Sequence, residues 1–338
     1  MRKFFGAHAF AAHEFAAQVF PANVFAALIA ILLVALPAPA QSQSQPPAGT
    51  VPVTIVVTVT GKNYTPPPAI SKDDVSVREG QVRREIINWL PAQGDRAGLQ
   101  LAIVIDDALR KSFGTQISAL SDFITSQPPS TIVGVFYASS GTVQAASQFN
   151  PDLQAVAKTL RMPSGNSGAA ASIYQSLLQL INAWPATGAR REILLFCDGY
   201  DYFRRDRFSP DVQLTIDRAQ QAGIVIHTIY AASSGNAAYS KRVISVGQGN
   251  LNQITDGTGG YVTFASDTPG VNARAPLSIA PYLAQVSLIL KNQYFLTFAT
   301  NPSKNEKGEY RGVKVLTERR DVDIRTQDKV FVPGSGEK

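Results

Sequence analysis

The chain has 338 residues, of which 45 % are hydrophobic and 17 % are charged. This composition is typical of a globular protein with a sizeable core, and it excludes a mostly disordered chain. The formal net charge of +6 is too small to indicate nucleic-acid binding by itself. With one cysteine and three histidines, the chain cannot form an internal disulfide or a cysteine-based zinc site.

The first 40 residues have the layout of a secretory signal. Two basic residues near the start precede an apolar run of 13 residues over 24–36, and the small residues Ala38 and Ala40 follow it. That run is shorter than the roughly 20 residues that span a bilayer as a helix. We therefore predict a signal peptide over 1–40, cleaved after Ala40, and a secreted or periplasmic protein without a stable membrane span. Retention of the segment as an anchor is the alternative.

Few residues outside that segment suit catalysis. His227 is the only histidine there and Cys197 the only cysteine, and each lies within an apolar run that indicates a buried strand. A single candidate base and the absence of a Gly-x-Ser-x-Gly pattern argue against a hydrolase. We therefore predict no enzyme, no catalytic residue and no cofactor. An exported hydrolase that uses Asp106 and Asp198 is the alternative.

A short all-β segment is predicted to follow the signal. Residues 41–50 are rich in Gln, Ser and Pro, which predicts a flexible linker. Alternating β-branched residues indicate a strand over 51–60, and shorter strand patterns follow at 74–79 and 81–90. We treat 51–92 as an N-terminal β segment.

Strands and helices alternate from residue 99 to 292. Apolar runs without alternation indicate strands buried on both faces at 101–105, 131–138, 192–197 and 224–230. Apolar residues at helical spacing lie between these runs, and 143–149 has the alternation of an edge strand. The pattern predicts an α/β fold with a doubly wound, mostly parallel sheet flanked by helices.

The end of the chain departs from this alternation. Strand patterns at 292–300, 312–318 and 322–332 follow one another without helices. We expect these C-terminal strands, within 293–333, to pair with the N-terminal segment in a small β module.

Two of the buried strands end in acidic residues, Asp106 and Asp198. In a doubly wound sheet, ligands bind beyond the carboxyl ends of the strands, where the strand order reverses. We therefore expect the two carboxylates to face each other at this rim, either as a ligand site or as loop acids that cap helix starts.

An aromatic and basic loop follows Asp198. Tyrosine and arginine are enriched among the residues that dominate binding energy at interfaces. We predict a protein partner, rather than nucleic acid, for the candidate partner-binding residues Tyr202, Phe203, Arg204, Arg205 and Phe208. The alternative is an ordinary solvated loop whose aromatic residues pack onto the core.

Several segments resemble a known family. Ile-Val-Ile-Asp-Asp-Ala-Leu-Arg at 103–110 and Leu-Leu-Phe-Cys-Asp-Gly-Tyr-Asp at 194–201 resemble the first and fourth strands of a von Willebrand factor type A domain. The flanking segments 70–80 and 292–298 resemble its secreted bacterial, acidobacterial-type branch. The resemblance spans roughly 51–333 and implies an adhesion-like, protein-interaction function.

In that family the rim holds a metal-ion-dependent adhesion site. An Asp-x-Ser-x-Ser loop, a threonine and a second aspartate bind a divalent cation through oxygen ligands. By this resemblance Asp106 and Asp198 match the two acidic ligands, and Asp107 is a candidate replacement oxygen donor.

Three hydroxyl positions of that site carry other residues here. They are Ala108, Arg110 and Ala171. The resemblance therefore implies a degenerate site that needs no metal, with Arg110 available to neutralise the carboxylates. A weakened Mg²⁺ or Mn²⁺ site that still binds its ligand is the alternative.

Overall fold

The computed structural model describes residues 46–165, 172–185, 188–204, 209–234, 240–264 and 278–334. The predicted signal peptide lies outside this part of the chain, and so do Ala171, Arg205 and Phe208. Within it, no helix combines the length and the apolar character needed to cross a membrane.

The described part of the chain begins with strands that do not join the central sheet. They are β1 (Val51–Gly61), β2 (Val75–Glu79), β3 (Val82–Arg84) and β4 (Ile86–Pro91). β1 alternates between buried valine or isoleucine and more exposed residues along its first half, as expected for a strand with one face on a core.

An α/β unit follows. Its strands are β5 (Leu99–Asp106), β6 (Thr131–Ser139), β7 (Thr142–Asn150), β8 (Arg190–Cys197), β9 (Ile224–Tyr230) and β10 (Val262–Phe264). Its helices are α1 (Ile117–Thr125), α2 (Leu153–Ala157), α3 (Ile173–Asn182), α4 (Pro210–Ala222), α5 (Lys241–Thr258) and α6 (Ala280–Lys291).

In the described residues these strands form one sheet in the order β10-β9-β8-β5-β6-β7. All neighbours are parallel except β6 and β7, which are antiparallel. From β5 the chain proceeds outward to β6, and it later returns to β8 on the other side of β5. The strand order therefore reverses between β5 and β8, which confirms the predicted doubly wound sheet.

Helices cover both faces of this sheet. Leu101, Ile103 and Ile105 of β5 belong to the apolar cluster under α1 and α6, whereas Ala102 and Val104 belong to the cluster under α3, α4 and α5. Because both sides of the strand are buried, its sequence is apolar without alternation.

The last strands are β11 (Gln293–Thr300), β12 (Glu309–Thr317), β13 (Val322–Arg325) and β14 (Lys329–Val332). Among the described strands two antiparallel sheets result, in the orders β13-β1-β11-β4 and β14-β12-β2-β3. β1 pairs with β11 from Val51 opposite Thr300 to Thr58 opposite Gln293. The expected β module of N- and C-terminal strands is therefore confirmed.

Two predicted strands of the β module are each divided in the structure. The segment 81–90 forms β3, which pairs with β2, and β4, which pairs with β11 in the other sheet. Likewise 322–332 forms β13 on β1 and β14 on β12. In both places the chain passes from one sheet to the other, with neither glycine nor proline at the crossing to mark it in the sequence.

Candidate functional site

The rim at the carboxyl ends of β5 and β8 brings two acidic residues together. Ile105 pairs with Phe196, so Asp106 and Asp198 leave the sheet from adjacent strands where the strand order reverses. Asp198 is buried, with 2 % of its surface exposed, and Asp106 is partly buried.

The two carboxyl groups share an environment that disfavours negative charge. Burial, and then the charge of Asp198, raises the pKa of Asp106 to about 7, against the effect of the Ala108 N–H that donates to its Oδ1 at 2.9 Å. Burial also raises the pKa of Asp198, although the Tyr200 N–H and the Tyr202 hydroxyl donate to it at 2.9 and 2.8 Å. Burial therefore outweighs these hydrogen-bond donors at both carboxyl groups.

Asp107 is engaged elsewhere. Its Oδ1 accepts hydrogen bonds from Arg161 Nη1 at 2.7 Å and from the Ser164 N–H at 2.9 Å. Burial opposes the charge on this carboxyl, but these bonds prevail and lower its pKa. Asp107 thus fastens the loop before α3 to the end of β5.

Arg110 bonds to the segment that follows β9. Its Nε donates to the carbonyl of Ser233 at 3.3 Å, and its N–H donates to the carbonyl of Ala232 at 3.2 Å. These two bonds hold both the backbone and the side chain of Arg110 against the segment after β9.

A niche beside Asp106 is the place where the family resemblance implies a metal. Its volume is only about 10 Å³, and Ala108 contributes a methyl group in place of a hydroxyl. Asp106 lines the niche together with the serines Ser139, Ser140, Ser172 and Ser176, and the buried Ser172 hydroxyl has no hydrogen-bond partner. Mg²⁺ keeps several of its waters when one or two carboxylates bind it, and a space of this size does not admit such a hydrated ion, so the niche as shaped here does not fit a divalent cation.

The loop after Asp198 lies tightly against α5. Gly199 has φ +71°, and its carbonyl accepts from Tyr174 and, at 3.0 Å, from Asn250 Nδ2. A Cβ on Gly247 would lie 2.1 Å from the carbonyl oxygen of Asp198, which no side chain tolerates. Glycine at 247 therefore permits the close contact between α5 and the backbone of Asp198.

The candidate partner-binding residues within the structure differ in exposure. The Tyr202 ring packs edge-on against Tyr200, at 4.9 Å between centroids, and its hydroxyl points inward to Asp198. Phe203 is 52 % exposed, and the side chain of Arg204 is 40 % exposed. Arg205 and Phe208 lie outside the described residues.

Two aspartates that the sequence interpretation did not single out hold this loop. Asp201 is buried, and its Oδ1 accepts the N–H groups of Phe203 and Arg204 at 3.0 and 3.2 Å, while its Oδ2 accepts the Ser209 hydroxyl at 2.7 Å. Asp211 receives both Nε and Nη2 of Arg204 at 3.4 Å. Aspartate side chains often accept the backbone N–H two residues later and so form a turn. That tendency was the sequence signal that could have pointed to Asp201.

Comparisons with known proteins find only low similarity. No family model and no curated protein matches the chain. Similar solved structures include the conserved hypothetical protein BatB from Bacteroides thetaiotaomicron, with 13 % identity, 57 % of this chain and 100 % of that chain covered, and a TM-score of 0.41. A von Willebrand factor type A structure from Catenulispora acidiphila shows 10 % identity, covers 88 % of this chain and 76 % of that one, and has a TM-score of 0.40.

The ArnB paralog VWA2 from Sulfolobus acidocaldarius shows 11 % identity, covers 85 % of this chain and 76 % of that one, and has a TM-score of 0.37. Similarity at this level carries no argument about function. The fold assignment rests on the strand order and register described above.

Proposed function

We propose that this chain is an exported, von Willebrand factor type A-like binding module of the acidobacterial type. It captures a protein partner at the rim of the central sheet through Phe203 and Arg204, and it uses neither a metal ion nor catalysis.

The display of Phe203 carries this proposal. Its ring is 52 % exposed on a loop whose backbone is held by the buried carboxylate of Asp201. A large apolar side chain on a rigid support loses little conformational freedom when it binds, so it is suited to anchor an interface. Arg204 stands beside it, held by Asp211 and still partly exposed.

Metal independence is supported by the rim chemistry. The niche at Asp106 is too small for Mg²⁺ with the waters that it keeps, and Asp198 already accepts hydrogen bonds from Tyr200 and Tyr202. The Tyr202 hydroxyl in particular points at Asp198.

Capture of a partner by matched variants tests the proposal. The immobilised full chain is incubated with an extract of the cells that produce it, the retained protein is identified by mass spectrometry, and its Kd is measured with the purified partner. Phe203→Ser should weaken binding by about 30-fold, the loss expected for an interface anchor. Binding should be equal in EDTA and in millimolar MgCl₂.

Val82 offers the control, because it is also 52 % exposed but lies on β3 in the β module. Val82→Ser should leave the Kd within about twofold of the wild-type value. Equal losses of affinity in the two variants would reject the rim as the binding surface. A partner whose Kd neither variant changes would reject it as well.

A weakened metal site is the second candidate, and one observation favours it. The Ser172 hydroxyl is buried beside Asp106 without a hydrogen-bond partner, and such a group is a potential ligand. Isothermal titration with MgCl₂ and MnCl₂ separates the two candidates. One site with micromolar affinity that disappears in Ser172→Ala would replace the metal-independent proposal.

A further inference from the structure

β7 forms one edge of the central sheet as the structure describes it. From Ser139 to Pro151 the chain has no charged residue. Edge strands of soluble proteins are commonly guarded by lysine, by proline or by shortness, because their free main-chain groups recruit other strands. β7 extends over Thr142–Asn150 without lysine or proline, and its register against β6 shifts only beyond Ala145.

The first part of this edge pairs regularly with β6, and a hydrogen bond shows which way its main-chain groups point. Residues from Thr142 to Ala145 pair regularly with β6, and the register shifts begin below them, at Val135. The N–H of Val143 points away from β6, because it donates to Oε1 of Gln179 on α3 at 2.8 Å. Antiparallel strands alternate, so the main-chain groups of Ala145 also point away from β6.

An apolar groove runs between this edge and α3. Its volume is about 410 Å³, within the range of ligand pockets, and its aromatic wall consists of Phe136, Phe149 and Trp184. The rings of Phe149 and Trp184 lie 4.8 Å apart, and the Trp184 Nε1–H is fixed by Gln100 at 2.8 Å.

A glycine in the strand behind shapes the floor of the groove. A Cβ on Gly134 of β6 would lie 2.6 Å from the Phe136 ring and 3.4 Å from the Phe149 ring. Glycine inside a strand weakens it, and it often marks a place where other atoms approach closely. Because Gly134 has no side chain, the Phe136 ring occupies the space that a Cβ would fill.

We infer that this groove binds an extended peptide segment, which adds as a strand to β7 and places an apolar side chain against Phe149 and Trp184. An open strand edge selects an extended backbone through main-chain hydrogen bonds, and the adjoining pocket selects the side chain. Gln179 occupies the Val143 N–H until the peptide displaces it. The inference does not use Phe203 and stands apart from the proposed function at the rim.

Selection from a displayed library of random peptides of about nine residues tests this inference on the full chain. Enriched peptides are synthesised, and their Kd is measured by fluorescence anisotropy. They should share one apolar position, lose binding when alternate amides are N-methylated, and protect the amides of Val143 and Ala145 from hydrogen exchange.

Variants of β7 and α3 give the sharpest readout. Ala145→Lys puts a charge at the exposed mouth of the groove and should weaken binding by about tenfold or more. Gln144→Lys adds the same charge one residue earlier, on the opposite face, and should change the Kd less than about twofold. Gln179→Ala removes the competing acceptor and should strengthen binding by about fivefold.

Three results would overturn the inference. One is the absence of any peptide enriched over the Ala145→Lys chain, and another is an equal loss in Gln144→Lys. The third is a dimer of the free chain that Ala145→Lys abolishes, because the edge would then belong to a second copy. Phe203→Ser should leave peptide binding unchanged, so a failure here is distinguishable from a failure of the rim proposal.

Discussion

The Asp106 carboxyl makes the stability of the folded protein sensitive to pH near neutrality. Burial and the charge of Asp198 raise its pKa from an ordinary 3.8 to about 7. Between these two values the folded chain keeps a proton that the unfolded chain has released. The free energy of unfolding therefore falls as the pH rises through this window, and the whole penalty is present above a pH of about 7.

Asp106→Asn removes this penalty while an amide oxygen still accepts the Ala108 N–H. At about 1.36 kcal/mol per pH unit, the gap between 3.8 and about 7 corresponds to an upper bound of about 4 kcal/mol. Asp106 keeps some contact with water, which screens its charge, so we expect the variant to be more stable by about 2 kcal/mol at a pH of about 8.5. At a pH of about 4 the difference should nearly vanish.

Urea unfolding followed by tryptophan fluorescence, in EDTA and at both pH values, measures this difference. Asp107→Asn is the matched control from the next position. The bonds from Arg161 and Ser164 outweigh burial and lower the pKa of Asp107, so its amide variant should lose stability at the higher pH. An Asp106→Asn chain that is less stable than the wild type at a pH of about 8.5, or equally stabilised at both, would refute the reasoning.

Two further predictions concern the core and the rim. Arg190→Met should lower the free energy of unfolding by about 3 kcal/mol or more, because it leaves the buried Glu192, 3.6 Å from the guanidinium, without that cation. In urea unfolding, Arg191→Met on the opposite face of the strand should lose under about 1 kcal/mol, and equal losses would contradict the argument. Tyr202→Phe removes the hydroxyl that donates a hydrogen bond to Asp198, and it should lower the free energy of unfolding by about 1 to 2 kcal/mol in the same assay. It should leave the partner Kd within about twofold, and a loss as large as that of Phe203→Ser would instead place the hydroxyl in the interface.

The position of the candidate site is readable from the sequence, because it follows from local patterns. The unbroken apolar runs of β5 and β8 indicate buried parallel strands, and the aspartates at their ends then meet wherever the strand order reverses. The β module was also predictable, since the strand patterns after residue 292 follow one another without helices between them and therefore do not continue the α/β alternation.

Side-chain directions at the rim were not predictable in the same way. Arg110 extends toward Ser233, 123 positions later in the chain, and Tyr202 turns inward because a buried carboxylate needs a donor. Composition marks both as candidates for charge compensation or for binding, but only contacts between distant segments decide their direction. The division of 81–90 and 322–332 between two sheets has the same origin.

The pairing of β1 with β11 has a consequence for the order of folding. Thr54 and Thr297 share a hydrogen bond across 243 positions of sequence. During synthesis β1 therefore appears long before its partner, and the buried side of Val53, Ile55 and Val57 has no neighbour at that stage.

The intervening α/β unit has all its strands before β11 is made, and contacts between distant segments form slowly. The α/β unit thus separates β1 from its partner, and all its strands are synthesised before the β module can close. A chain that stops short of Gln293 would leave β1 as an unpaired apolar strand, the kind of edge that recruits other chains into aggregates.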